Sequence, residues 1–358
     1  MIIKKIRADG FRNLKFLDLD LFPGINVFTG ENGQGKTNLL EAVYICAAGR
    51  SWRTKTDREL VGFPEREAFL FAETERGGFS DSISVNIKKD EKKIINVNGT
   101  QIKKLGELLG TLLAVVFSPY DLALVKAGPS ERRKFMDVEL CQLNAIYYYE
   151  LKQYYHILKQ RNNLLKDLKK DAALRSTIGV WDEIMAGLGA RIMERRREFI
   201  EKINSAASEI HGAVSDKKER LEIIYRPNVS EKDFLPRLGK FLEKDMLQGA
   251  TSTGIHKDDL IYLINGQDAR AYGSQGQQRL ACLSSKLAET SVIKSEKGED
   301  PVLLLDDVLS EFDAPRQRFL LEYIEGLQTL MTATGAESAA PGGDSRGFGV
   351  AGGSVSLL

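Results

Sequence analysis

The stretch VFTGENGQGKTNLLEAVY, residues 27–44, decides how the rest of this 358-residue chain is read. An apolar, β-branched run leads into a glycine-rich loop that ends in Lys36 and Thr37 and opens onto the helical pattern NLLEAVYICAA. Within it, GENGQGKT (Gly30 to Thr37) satisfies the phosphate-loop spacing GxxxxGK[ST] in full, in the strand, loop, helix setting that gives the pattern its meaning. Gly30, Gly33 and Gly35 admit backbone conformations closed to other residues, so successive N–H groups converge on a phosphate while the helix N-terminus adds partial positive charge. Lys36 is placed to bridge the β- and γ-phosphates, and Thr37 to hold Mg²⁺ through its hydroxyl. With Glu31, Asn32, Gln34 and the adjoining Asn38, these residues form the expected site for a nucleoside triphosphate.

The matching half is PVLLLDDVLSEFD, residues 301–313. Its continuous apolar run reads as a strand buried on both faces, and it delivers two carboxylates at its C-terminal end, where α/β sheets place ligands. Asp306 suits the metal-side carboxylate and Asp307 a general base or water-orienting group.

Composition narrows the class. Hydrophobic residues make up 42% of the chain, ample for a core, and no uninterrupted apolar run approaches the ~20 residues that span a bilayer. Lysine and arginine number 51 against 50 acidic residues, so any nucleic-acid surface has to be a local patch. The three cysteines, Cys46, Cys141 and Cys282, have no CxxC spacing and suit reduced thiols, which points to the cytoplasm.

Asn98-Gly99 and Asn265-Gly266 predict tight type I′ hairpins, and residues 66–105 read as an antiparallel meander. From about Glu131 to Ile210 apolar residues recur at helical spacing, with one stripe at Leu151, Tyr155, Leu158 and Leu165 and another at Trp181, Met185, Leu188, Ile192, Phe199 and Ile203. KKDAALRSTIG, residues 169–179, is the expected turn between two helices of a helical lobe, and Lys152, Lys159, Arg161, Arg195, Arg196 and Arg197 read as its solvated face. The expected organisation is an α/β head from residues 1–115 and 250–334, an inserted mainly helical lobe over 116–249, and a disordered Gly/Ser/Ala-rich tail over 335–358.

In AYGSQGQQRLACLSSKLAE, residues 271–289, Ser274 stands at a helix N-cap and Gly276 in the first turn, with Leu280, Leu283 and Leu287 on one face, which offers a second anion site. Gly273 to Gln277 resembles the signature motif of ABC-type ATPases in the form used by their SMC-like DNA-repair branch. Four further stretches, GFRNLKFLDLDL (10–21), FSPYDLALVKAGPSERRKFMD (117–137), GIHKDDLIYLING (254–266) and LLLDDVLSEFD (303–313), resemble the RecF family within that branch and carry the resemblance over most of residues 1–334.

The resemblance implies an ABC-type P-loop ATPase head with an antiparallel β meander, hydrolysing ATP weakly with Mg²⁺ bound by Thr37 and Asp306. It places Arg12 and Asn13 near the nucleotide. Ser274, Gly276 and Gln277 would act in trans across an ATP-dependent homodimer, with Asp313 in the crossing loop. It also implies binding to duplex and gapped DNA, and work with RecR and RecO to load RecA. Arg132 and Arg133 stand open between a nucleotide or DNA role and a structural ion pair, and His256 between a nucleotide contact and a satisfied histidine.

The chain departs from the family pattern most in its C-terminal tail, where low-complexity sequence follows LQTLMTATG in place of the further strand and helix that the resemblance implies, and at three single positions. Tyr120 replaces an acidic residue, Phe312 a leucine, and Asp307 is one methylene shorter than the glutamate of most ABC enzymes, which suits slow hydrolysis. Two rivals are a nucleotide-gated clamp that needs no hydrolysis and a transport-type ABC subunit. The latter normally carries a histidine after the second acidic strand, and no histidine here lies beyond His256.

Overall fold

A computed structural model of the protein describes residues 1–168, 172–334 and 345–358. The chain runs through β1 (Ile2–Phe11), β2 (Leu14–Asp20), β3 (Ile25–Thr29), α1 (Lys36–Ala48), β4 (Glu67–Arg76), β5 (Phe79–Lys88), β6 (Ile94–Val97), β7 (Thr100–Gln101) and β8 (Ala114–Phe117). Next come α2 (Ala123–Lys126), α3 (Pro129–Leu143), α4 (Ala145–Asp167), α5 (Ile178–Val214), β9 (Leu221–Arg226), α6 (Phe234–Lys240), α7 (Leu242–Gln248), β10 (Asp259–Ile264), β11 (Gln267–Asp268), α8 (Ala269–Tyr272) and α9 (Gln275–Lys297). It closes with β12 (Val302–Leu305), α10 (Ala314–Tyr323), β13 (Thr329–Ala333), β14 (Ser345–Ala351) and β15 (Ser354–Leu357). Two compact units result, Met1–Asp121 with Glu289–Leu358, and Leu122–Ala288.

The first unit holds two sheets, each six-stranded among the described residues. One is antiparallel, in the order β2-β1-β4-β5-β6-β7, and its alternation puts Ala68, Leu70 and Ala72 of β4 and Ile83, Val85 and Ile87 of β5 on the buried face. The other runs β15-β14-β3-β13-β12-β8. Its strands β3, β13, β12 and β8 are parallel and nearly all apolar, as expected of strands covered on both faces. Helix α1 shares one core with both sheets: Leu39, Leu40, Val43, Ile45 and Cys46 join Ile3, Leu70 and Val85 on the one hand and Val116, Leu304 and Leu330 on the other. It stops at Gly49, whose φ of 65° lets its N–H close back on the Ile45 carbonyl.

Residues 345–358 correct the sequence reading of a disordered tail. Strand β14 pairs in parallel with β3 and β15 returns antiparallel to β14, with Phe348 stacked on Phe28 at 5.0 Å. At Gly353 glycine serves a close backbone approach: a Cβ there would lie 2.0 Å from the Asn13 carbonyl oxygen. Residues 335–344 of that tail lie outside the described residues.

The second unit contains the helices α3, α4 and α5 together with a three-stranded sheet, β11-β10-β9. The domain limits expected from sequence shift accordingly to 121/122 and 288/289. The cause is pairing: β9 matches β10 from Leu221 with Ile264 to Arg226 with Asp259, which draws residues 250–288 into the lobe. Both Asn-Gly turns form, with φ of 52° and 75° at Asn98 and Gly99 and 52° and 78° at Asn265 and Gly266.

Two details of the lobe also change. The buried stripe of α4 runs through Tyr147, Tyr154, Leu158 and Leu165, and Tyr155 is 41% exposed. Arg161 and Arg196, expected on the solvated face, are fully buried; Arg161 pairs with Asp182 and Asp245, and Arg196 with Asp137 and Asp258. Residues 169–171 of the expected inter-helical turn are outside the described residues.

Candidate nucleotide site

Strand β3 and helix α1 fix the two ends of the glycine loop. Gly30, Gly33 and Gly35 take φ of 156°, 79° and 116°. A Cβ on Gly30 would stand 2.2 Å from the Val350 carbonyl oxygen, so glycine is required there by space as well as by φ. Gly35 caps α1 without a side-chain hydrogen bond, which leaves the first-turn N–H groups to an anion. Lys36 Nζ donates to the carbonyls of Gly30 (2.5 Å) and Glu31 (2.9 Å). Burial lowers the Lys36 pKa, against the raising pull of Asp307 and Asp306.

Across the sheet, β12 delivers Asp306 beside Thr37. Asp306 Oδ1 accepts from Thr37 Oγ1 at 2.8 Å and from Thr332 Oγ1 at 2.9 Å. Burial raises the Asp306 pKa, while these two hydrogen bonds favour the carboxylate. Thr37 Oγ1 and Asp306 Oδ1 are adjacent hard oxygen donors, the type that Mg²⁺ takes. The pair therefore fits Mg²⁺, which Thr37 and Asp306 would hold. Among the described residues no group of three or more His, Cys, Asp or Glu offers an alternative metal site.

Asp307 follows at φ 53°, in the left-handed region, held by its N–H to Thr332 Oγ1 at 2.9 Å. A cleft of about 490 Å³ gathers Lys36, Thr37, Asn38, Asp306, Asp307, Thr332 and Tyr120 around the loop.

Asn13 and Arg12, expected at the nucleotide, do different things. Asn13 shapes the loop, donating to the Gly33 carbonyl at 2.9 Å and accepting from Asn38 Nδ2 at 2.7 Å. Arg12 is committed to Glu41, with Nε and Nη2 at 3.1 and 2.9 Å, and to the Glu59 carbonyl. Arg53, missed in the sequence, lines the cleft instead and binds Asn38 Oδ1 (2.7 Å) and Glu41 Oε2 (3.0 Å). The overlooked signal is Glu41 itself: a carboxylate inside an apolar helix, fully buried, needs cations from elsewhere in the chain.

In the second unit, Ser274 and Gln277 form a capping box at the start of α9. Ser274 Oγ accepts from the Gln277 N–H at 3.2 Å and Gln277 Oε1 accepts from the Ser274 N–H at 2.9 Å, with Gly276 between them. Gln277 Nε2 also donates to Glu219 at 2.8 Å. In the first unit, Asp313 caps α10 by accepting from the Arg316 N–H.

Each of the three open residues has a structural partner. Arg132 makes a two-pronged ion pair with Asp259 and donates to the Leu124 and Ala127 carbonyls. Arg133 donates to the Asp258 carbonyl. His256 hydrogen-bonds through Nδ1 to the Tyr154 hydroxyl (2.9 Å) and donates through Nε2 to the Thr251 carbonyl (3.0 Å).

Burial pushes the His256 pKa down to about 4. Because the unfolded chain holds that proton more tightly, stability is intact above the unfolded pKa of ~6.5 and falls as pH drops towards 4, by up to about 3 kcal/mol. Urea unfolding at pH 7 and pH 4.5 is expected to show a loss in the wild-type chain that exceeds that of His256→Gln by about 2–3 kcal/mol. Parallel losses would contradict it.

Comparison with known proteins identifies the family and the fold. An AAA domain model matches residues 5–240. The chain is 44% identical over 337 residues to the DNA replication and repair protein RecF of Lachnoclostridium phytofermentans, covering 94% of each. The chain belongs to the RecF family. The RecF of Clostridium tetani is 42% identical over 347 residues, again with 94% of both chains covered. A solved structure of the recombination mediator protein RecF-ATP in the RecFOR pathway superposes with a TM-score of 0.93 at 38% identity, over 99% of this chain and 97% of that one. An SMC head bound to the C-winged helix domain of ScpA, at a TM-score of 0.59 and 15% identity over 100% of this chain and 97% of that one, shares the fold. The RecF family chain is thus an α/β protein with a P-loop ATPase fold of the SMC-head type. Its Phe312 is buried against Phe117 at 6.3 Å between ring centroids. No helix among the described residues is long and apolar enough to cross a membrane.

Proposed function

We propose that this chain is an ATP-dependent DNA-binding protein of recombinational gap repair, an ATP-gated dimer that binds duplex or gapped DNA in the cytoplasm and works with RecR and RecO in loading RecA. The observation that carries the reading is the meeting of Lys36, Thr37, Asp306 and Asp307 around one glycine loop in a chain of the RecF family.

In this reading Lys36 exchanges its two carbonyl partners for phosphate oxygens, and the α1 N-terminus and loop N–H groups bind the remaining negative charge. Bound by Thr37 and Asp306, Mg²⁺ supplies charge neutralisation on the phosphates. Asp307 orients water for slow hydrolysis, its short side chain keeping the rate low. Ser274, Gly276 and Gln277 present the α9 N-terminus to the nucleotide of a second copy. DNA is held through its phosphates by lysine and arginine, which makes binding salt-sensitive and indifferent to sequence.

Light scattering with and without ATP and Mg²⁺ tests the reading. The wild-type chain and Asp307→Asn are expected to dimerise only with ATP, and Ser274→Arg to stay monomeric while still binding nucleotide. A chain that stays monomeric with bound ATP would overturn the dimer mechanism.

A further inference from the structure

The β14–β15 hairpin turn has no evident packing task. Phe348 and Val350 anchor the hairpin in the core, but Ala351, Gly352 and Ser354 at the turn are exposed. What the turn does reach is the phosphate loop. The Gly352 N–H donates to Gln34 Oε1 at 2.6 Å and the Gly353 N–H to the Gln34 carbonyl at 3.1 Å. Gly353 is wedged so closely, at φ 77°, that a Cβ would sit 2.0 Å from the Asn13 carbonyl oxygen. Gln34 itself accordingly turns away from the cleft, whose wall is made by its neighbours Gly33 and Gly35.

We infer that Gln34 is a positioning residue through which the C-terminal hairpin holds the phosphate loop in its anion-binding shape, a reading that rests on the nucleotide site proposed above. The physical link is the planar trans peptide, in which a carbonyl and the following N–H point in opposite directions. Holding the Gln34 carbonyl by Gly353 therefore directs the Gly35 N–H away from the hairpin. Holding the Gly33 carbonyl by Asn13 does the same for the Gln34 N–H. Two turns far apart in sequence, at Asn13 and Gly353, thus fix two successive N–H groups, and the Gln34 side chain locks the second turn to the loop. Preorganised N–H groups bind phosphate without the entropy cost of ordering the loop on arrival.

The test is a fluorescence titration of the full chain with methylanthraniloyl-ATP and Mg²⁺, together with KM and kcat for ATP. Gln34→Met removes the acceptor at similar length, and Gly353→Ala forces the turn away from Asn13. Each is expected to weaken binding about three- to tenfold, the scale of one or two hydrogen bonds, and to raise KM more than it changes kcat. The double variant is expected to bind no more weakly than the weaker single variant, because both break one connection. Variants that bind as tightly as wild type, or effects that simply multiply, would overturn the positioning role. Should Gly353→Ala fail to fold, unchanged binding by Gln34→Met alone overturns it. A wild-type chain that does not bind the analogue would instead remove the nucleotide reading itself, and the positioning role with it.

Discussion

Lys36→Met is expected to lower affinity for ATP with Mg²⁺ by about 100-fold or more while leaving the fold intact. The ammonium is almost fully covered and sits among carbonyls and the carboxylates of Asp306 and Asp307. Truncating one partner of a buried, hydrogen-bonded charge pair costs about 2–5 kcal/mol, which spans roughly 30-fold to more than 1,000-fold in affinity. The apolar replacement keeps the length of the side chain, and the lost hydrogen bonds and carboxylate attraction are offset by relief of the buried charge, so the unfolding midpoint without nucleotide should move little. Titration with the fluorescent ATP analogue and far-UV circular dichroism would check both halves. A loss of less than tenfold would show that phosphate does not engage this lysine.

Arg196→Met is expected to destabilise the second unit by about 3–5 kcal/mol, read from urea unfolding. Arg196 is fully buried on α5 and donates to Asp258 Oδ2 (2.8 Å), Asp137 Oδ1 (2.7 Å), the Ile255 carbonyl (2.9 Å) and Tyr147 (3.1 Å). Without the guanidinium, Asp258 is left fully buried with only the Asn228 N–H and the Tyr225 hydroxyl as donors. The cost is therefore that of a stranded carboxylate more than of a lost attraction. Asp258→Asn in the same chain removes the stranded charge and should recover part of the loss, so the double variant is expected to be more stable than the sum of the singles predicts. Additive effects would show that the two groups are not coupled.

Arg196 also illustrates what the sequence leaves illegible. Arg195, Arg196 and Arg197 read as one basic run, yet the middle one is buried because its partners lie 59 and 62 residues away. The phosphate loop, by contrast, is written in eight consecutive residues whose glycines, lysine and threonine do local chemistry, and Asp306 and Asp307 are announced by the apolar strand before them. The Asn-Gly turns are legible for the same reason. Gly352 and Gly353, which reach the loop from outside, carry no local pattern, and Arg53 is announced only indirectly, through the buried carboxylate of Glu41 that it pairs with. Residues 345–358 look disordered by composition because a glycine needed for close approach, as at Gly353, cannot be told by composition from one that gives freedom.

The order of the parallel sheet has a consequence for synthesis. Strand β3, which feeds the phosphate loop, lies between β13 and β14, so residues 25–29 find both their neighbours only in residues 329–351. A ribosome adding about 5–20 residues per second leaves the loop without its flanking strands for roughly 15–60 s after the loop itself has been made. The nascent chain carries every residue of the phosphate motif during that interval without the sheet that shapes it. The strand that leads into the phosphate loop thus gains its flanking partners only after β13 and β14 have been made.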